Sequence, residues 1–110
     1  MIRETIDKLE AEIAASEPIE VDRRRELLEL LSSLREEIND LADADDEQAR
    51  SIAAFAGAST HEATRKVKNP ELLDLSLKGL SGSVDALETS HPKLTQLVSR
   101  ICSLLSNLGI

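Results

Sequence analysis

The sequence predicts an all-α fold: a small antiparallel bundle of about five helices, without strands, forming a single domain over residues 1–110. Three observations predict it. The apolar residues are nearly all aliphatic, with 18 Leu, 12 Ala, 8 Ile and 4 Val against one Phe and no Tyr or Trp. Leu and Ala favour helices, whereas β-branched and aromatic residues favour strands. Leu and Ile recur at spacings of three and four, the period of one helix face. Strong punctuation at Pro18, Asp43-Ala44-Asp45-Asp46, Asn69-Pro70 and Ser90-His91-Pro92 cuts the chain into helix-length pieces.

The first helix is predicted near residues 2–15. Ile2, Ile6, Leu9 and Ile13 form a narrow stripe with acids and bases around it, enough to meet one partner helix. Ser16-Glu17-Pro18 ends it, because proline disfavours helical geometry in the residue before it. A second helix is predicted near residues 20–42, with Asp22 as N-cap and Glu26 in the first turn. Leu27, Leu31, Leu34, Ile38 and Leu41 step by four and three, and Leu28 and Leu30 widen the stripe. The apolar repeat is too short for a sustained coiled coil, so a hairpin with the first helix is the expected outcome.

The stretch from 46 to 67 carries the weakest pattern. Asp45 with Gln48 has the form of a capping box. Ala49, Ile52, Ala53, Phe55 and Ala56 then make a thin apolar face. Gly57 interrupts it, and Ser59-Thr60-His61-Glu62 offers a second cap. The stretch reads as two short helices, near 46–56 and 60–67, or as one with a soft middle. Asn69, Pro70 and Glu71 supply an N-cap, an N1 proline and a first-turn acid for a helix near 70–88. Leu73, Leu77, Leu80, Val84 and Leu87 form its stripe, with Leu72 and Leu75 off that line. Gly79 and Gly82 weaken a helix interior by about 1 kcal/mol each, and mark either close approach of a neighbour or plain tolerance.

The helix near 92–108 has the widest apolar face. Leu94, Leu97, Val98, Ile101, Cys102, Leu104, Leu105 and Leu108 fall within an arc of roughly 160°. Such a face must meet at least two other helices. Gly109 and Ile110 have the form of a C-terminal cap with its hydrophobic contact. The stripe of the preceding helix continues in the same heptad phase through His91. This leaves either one long helix kinked at Pro92 or two helices separated by a short turn.

Composition narrows the function classes. The chain has 110 residues, 41% hydrophobic, with net charge −8. Residues 1–48 hold 16 acids and 6 bases, whereas residues 49–110 hold 5 acids and 7 bases. An acidic surface argues against nucleic acid as a partner, since phosphate binding requires Lys and Arg. Two halves of opposite sign suit packing against each other, within one chain or between copies. One cysteine excludes an intrachain disulfide and fits a reducing compartment. No apolar run approaches the ~18 residues of a membrane span, so a cytoplasmic location without membrane association is expected.

The chemistry-bearing residues are few. Arg23-Arg24-Arg25 is a basic run set among Glu20, Asp22 and Glu26, which points to a self-paired, solvated face. His61-Glu62 begins like a zinc-binding helix, but Arg65 stands where the second His is required. Cys102 lies at the edge of an apolar face and reads as an inert thiol. Adjacent acids such as Glu36 and Glu37 point apart on a helix and cannot share proton-transfer work. No catalytic residue, metal ligand or cofactor site is therefore expected.

Ser90-His91-Pro92-Lys93-Leu94, then Ile101, then Leu104-Leu105-Ser106-Asn107-Leu108-Gly109-Ile110 resemble a bacterial domain-of-unknown-function family, the four-four-zero-four family. The proline turn after the first helix and the Leu-rich second helix match its layout. Residues 48–69 look like an insertion relative to its shorter members. The resemblance implies a small helical bacterial protein and supplies no catalytic residues. The expected function is a helical interaction or oligomerisation module, a homodimer or a complex with an unidentified protein. Its candidate interface is Leu94, Leu97, Val98, Ile101, Leu104, Leu105 and Leu108. The alternative is a small-ligand or regulatory bundle using the Ser90, His91 and Pro92 junction.

Overall fold

The computed structural model describes the backbone of residues 2–15 and 19–108, with side chains from residue 4. Five α-helices follow one another: α1 (Ile2–Ala15), α2 (Val21–Ala44), α3 (Asp46–Thr64), α4 (Pro70–Val84) and α5 (Pro92–Leu108). A 3₁₀ turn, Asp85–Leu87, extends α4 toward α5. No strand occurs among the described residues.

Helices α2, α3, α4 and α5 form a closed ring. Each packs on the next, and α5 returns onto α2. Helix α1 lies outside the ring against α2 and α3. Successive helices run antiparallel, and so does the pair α2 and α5 that closes the ring, as the cross-helix contacts show. Arg35 of α2 bridges Asp7 and Glu10 of α1 at 2.6 and 3.2 Å. Gln48 near the start of α3 donates to the Ser83 carbonyl near the end of α4. Lys93 and Arg100 of α5 reach Glu37 and Glu26 of α2 at 3.2 and 3.5 Å.

The helix stripes converge on one core. Ile6, Leu9 and Ile13 of α1 meet Leu27, Leu30, Leu31, Leu34, Ile38 and Leu41 of α2 in the same buried cluster. Helix α4 adds Leu73, Leu80 and Val84, with Leu77 partly buried. Each fully buried aliphatic side chain contributes about 1.5–3 kcal/mol gross.

Boundaries follow the predicted punctuation, with corrections. Helix α2 has Glu20 at its N-cap position, making no side-chain cap, while Asp22 sits inside the first turn. Its charge can still favour the positive helix end there. Helix α3 is continuous from Asp46 to Thr64, with no split at Gly57, and stops short of residue 67. The Asp45 carboxylate accepts the Gln48 N–H at 3.1 Å, as the capping pattern predicts. The second cap is not used. Ser59 and Thr60 are buried within the helix, and their hydroxyls have no hydrogen-bond partner among the described residues. Gly57 faces α1: a Cβ there would lie 3.9 Å from Leu9 Cδ2. Packing from several helices on α3 outweighs the weak local propensity of its middle.

Asn69 caps α4, its side chain accepting from the Leu72 N–H at 3.2 Å, with Pro70 following at N1. The regular α-helix ends at Val84 instead of near residue 88. Helices α4 and α5 are separate, joined through the 3₁₀ turn and a short bend. The proposed stop at Ser16-Glu17-Pro18 and the Gly109-Ile110 cap lie outside the described residues, and so does the Ile2 side chain.

Candidate functional site

The wide face of α5 is spent within the chain. Leu94, Leu97, Val98, Ile101 and Leu105 are buried, and Leu104, Leu108 and Cys102 are half-buried. Helix α5 contacts α2, α3 and α4, the several partners that so wide a face requires. Five of the seven candidate interface residues are therefore covered by the monomer's own helices. The sequence alone reveals a face, but not whether the cover comes from the same chain.

The α4–α5 junction holds Ser90, His91 and Pro92 together at the surface. Ser90 and Pro92 are exposed and His91 is half-buried. The His91 N–H donates to the Leu87 carbonyl at 2.7 Å, fastening the turn. Its ring Nδ1 lies 3.0 Å from Ser90 Oγ. The His91 carbonyl accepts the Thr95 N–H at 3.3 Å, which begins α5. These contacts give the junction a structural role.

His61 is exposed, with Nε2 3.9 Å from Glu62, and Glu62 pairs with Arg65 at 2.7 Å. Among the described residues no group of three or more His, Cys, Asp or Glu side chains could hold a metal ion. The Cys102 thiol reaches the Leu77 carbonyl across the α4–α5 seam, at 3.9 Å. Burial pushes its pKa up, away from the thiolate form that reactive cysteines need.

Two features escaped the sequence pattern. The first is an apolar strip outside the core. Phe55, Leu72 and Leu75 are 40%, 41% and 63% exposed. The Phe55 ring covers Gly79, where any added Cβ would overlap it. Leu72, Leu75 and Gly79 stand at i, i+3 and i+7, on one face of α4. Phe55 on α3 thus continues this strip along the outside of the α3–α4 hairpin. Sequence spacing did mark Leu72 and Leu75 as off the core line, but Phe55 had counted toward the core.

The second is the uneven charge of the two ends. The antiparallel topology gathers Asp40, Asp43, Asp45, Asp46, Glu47, Asp85 and Glu88 at one end, against Arg50 and Lys93. At the other end, the turn after α3 supplies Arg65, Lys66 and Lys68 beside the start of α2. The Lys68 ammonium donates to the Ala63 carbonyl, satisfying the C-terminal end of α3.

This arrangement defines a small up-and-down helical bundle with an outlying helix. The chain belongs to the family described as Domain of unknown function (DUF4404), whose model matches residues 27–110. The match takes in the four-helix ring except the first turns of α2, runs through the 48–69 segment, and leaves α1 outside. No curated protein and no solved structure matches the chain. No helix among the described residues is long and apolar enough to cross a membrane.

Proposed function

We propose that this bundle is a protein–protein interaction module that associates with a second copy of itself through the outer face of the α3–α4 hairpin. The observation that carries the reading is the strip of Phe55, Leu72 and Leu75 left uncovered while the larger α5 face is buried. Exposed aliphatic residues scattered singly are ordinary, but an aromatic ring aligned with two leucines is a candidate contact surface. A specific interface needs about 800 Å² per partner. Asp74 and Lys78 form an i,i+4 ion pair on the same helix at 2.9 Å, giving the strip a polar border. A polar rim around an apolar centre is the common anatomy of such contacts.

Sedimentation velocity over a concentration series tests the reading. The wild-type chain is expected to sediment as a dimer, and Leu75→Glu as a folded monomer with an unchanged circular dichroism spectrum. A wild-type monomer at about 100 μM, equivalent to association weaker than roughly −5 kcal/mol, would sink it. Cross-linking that places α5 at the dimer contact would also overturn the strip assignment.

A further inference from the structure

Separate from that strip, we infer that a cavity at the end of the bundle where α3 stops holds a binding site for a small amphipathic anion, a carboxylate or phosphate head carrying a short aliphatic tail. A cavity of about 340 Å³ opens there between the turn after α3, the start of α2 and the end of α5. This is the lower end of the range for small-molecule sites. Its walls have two characters. Ile19 and Ala63 are buried, and Leu108 is half-buried, giving an aliphatic floor. Arg65, Lys66 and Lys68 supply the charged part of the lining.

Among the described residues the lining contains three cations and no acid, in a chain of net charge −8. Two of the three have other engagements. Arg65 pairs with Glu62 at 2.7 Å, and Lys68 donates to the Ala63 carbonyl. Lys66 is exposed and makes no ion pair among the described residues. The C-terminal carbonyls of α3 account for Lys68, but they do not use Lys66. The neighbouring α2 begins two residues after Ile19, and Glu20 gives it no side-chain cap. The first-turn amides of α2 and the terminal carbonyls of α3 and α5 meet at this end, so the helix dipoles oppose one another and the pull on an anion comes from the three side chains.

The combination selects its ligand. A bare phosphate gains nothing from Ile19, Ala63 and Leu108, and a neutral alkyl group gains nothing from Lys66. An ammonium compound would be repelled by all three cations. Only a molecule with an anionic head and an apolar body uses both parts. Octanoate and octyl phosphate share that chemistry and differ in the head group, so they also report which head fits.

Isothermal titration of the full chain tests the site with four probes: octanoate, octyl phosphate, inorganic phosphate and neutral octyl glucoside. At least one of the two anionic alkyl probes is expected to bind at one equivalent. Lys66→Glu is expected to weaken that probe by about tenfold or more, and Lys66→Arg to retain it. Lys66 is exposed, so both variants are expected to keep the wild-type melting temperature. Amide shift perturbations should centre on Ala63, Lys66 and Leu108. Absence of saturable binding by both anionic alkyl probes up to about 10 mM would overturn the site. So would unchanged affinity in Lys66→Glu, or equal binding of inorganic phosphate or octyl glucoside. If Lys66→Glu fails to fold, loss of the same titration at raised salt in the wild type, against persistence, decides the ionic part.

Discussion

Helices α3 and α5 both line the inside of this bundle, and they do so with opposite kinds of side chain. Helix α5 turns Leu94, Leu97, Val98, Ile101 and Leu105 onto its neighbours. Helix α3 turns Ala49, Ile52, Ala53, Ala56, Ser59, Thr60 and Ala63 inward, nearly all of them small. Yet α3 touches every other helix of the chain, and α5 touches three. Large side chains fill space between helices and hold them apart. Small ones let several backbones approach a single helix. The helix with the widest face of large side chains thus packs on three neighbours, and the ring helix with the smallest inward side chains is the one that all the others touch.

Substitutions of opposite sense can break this comparison. Ile101 is fully buried, so Ile101→Ala should lose about 2–5 kcal/mol by leaving a cavity. Ala56 is 1% exposed, and Ala56→Leu should lose about 1–3 kcal/mol by forcing neighbours apart. Urea unfolding midpoints measure both. If Ala56→Leu is neutral, α3 is not tightly enclosed and the contrast with α5 fails.

The two glycines of α4 sharpen the comparison at smaller scale. A Cβ at Gly79 meets the Phe55 ring of α3, whereas one at Gly82 meets nothing within 4 Å. Gly82→Ala should stabilise the chain by up to about 1 kcal/mol through helix propensity. Gly79→Ala should fall about 1–2 kcal/mol below it, because the ring must leave its seat and loses packing area. In a Phe55→Ala background the two should become equal, a double-mutant cycle read from thermal melts. Equal effects in the wild-type background would mean that the ring gives way freely.

The smallest effect concerns the edge of α5. Burial raises the Cys102 pKa in the folded chain, so its neutral thiol is favoured there over the unfolded state. The stability this contributes is complete below the unfolded pKa and is lost as pH rises through the folded one. Alkylation by iodoacetamide should be slow in the native protein. Its pH midpoint should lie above the ordinary thiol value of about 8.5. A midpoint at or below that value would show the thiol to be solvated.

The resemblance in the last segment pointed to the family, and much of the architecture was legible because it is written locally. Asp45 with Gln48, Asn69 with Pro70, and Pro92 each mark a helix start within four residues, and each marks a start in the fold. The exception was α3, because alanine carries little hydrophobic signal and Gly57 looked like a break. Its middle lies against Leu9, far away in sequence. The role of Gly79 was equally hidden, since Phe55 gives it meaning across a helix pair. The basic cavity draws on Ile19, Lys66 and Leu108, three segments that no periodic pattern connects. The α5 leucines were visible as a face, but a face shows only that something covers it.

The closure of the ring by α5 has a consequence for how the chain is made. Contacts between successive helices can form as soon as each pair has left the ribosome, but the contact of α5 with α2 must wait for α5. Until then α2, α3 and α4 lack the helix that closes the ring between α4 and α2. The chain's widest apolar segment is also the last of the five to appear. The time during which that segment meets solvent, or another chain, is thus the shortest the gene order of these helices allows.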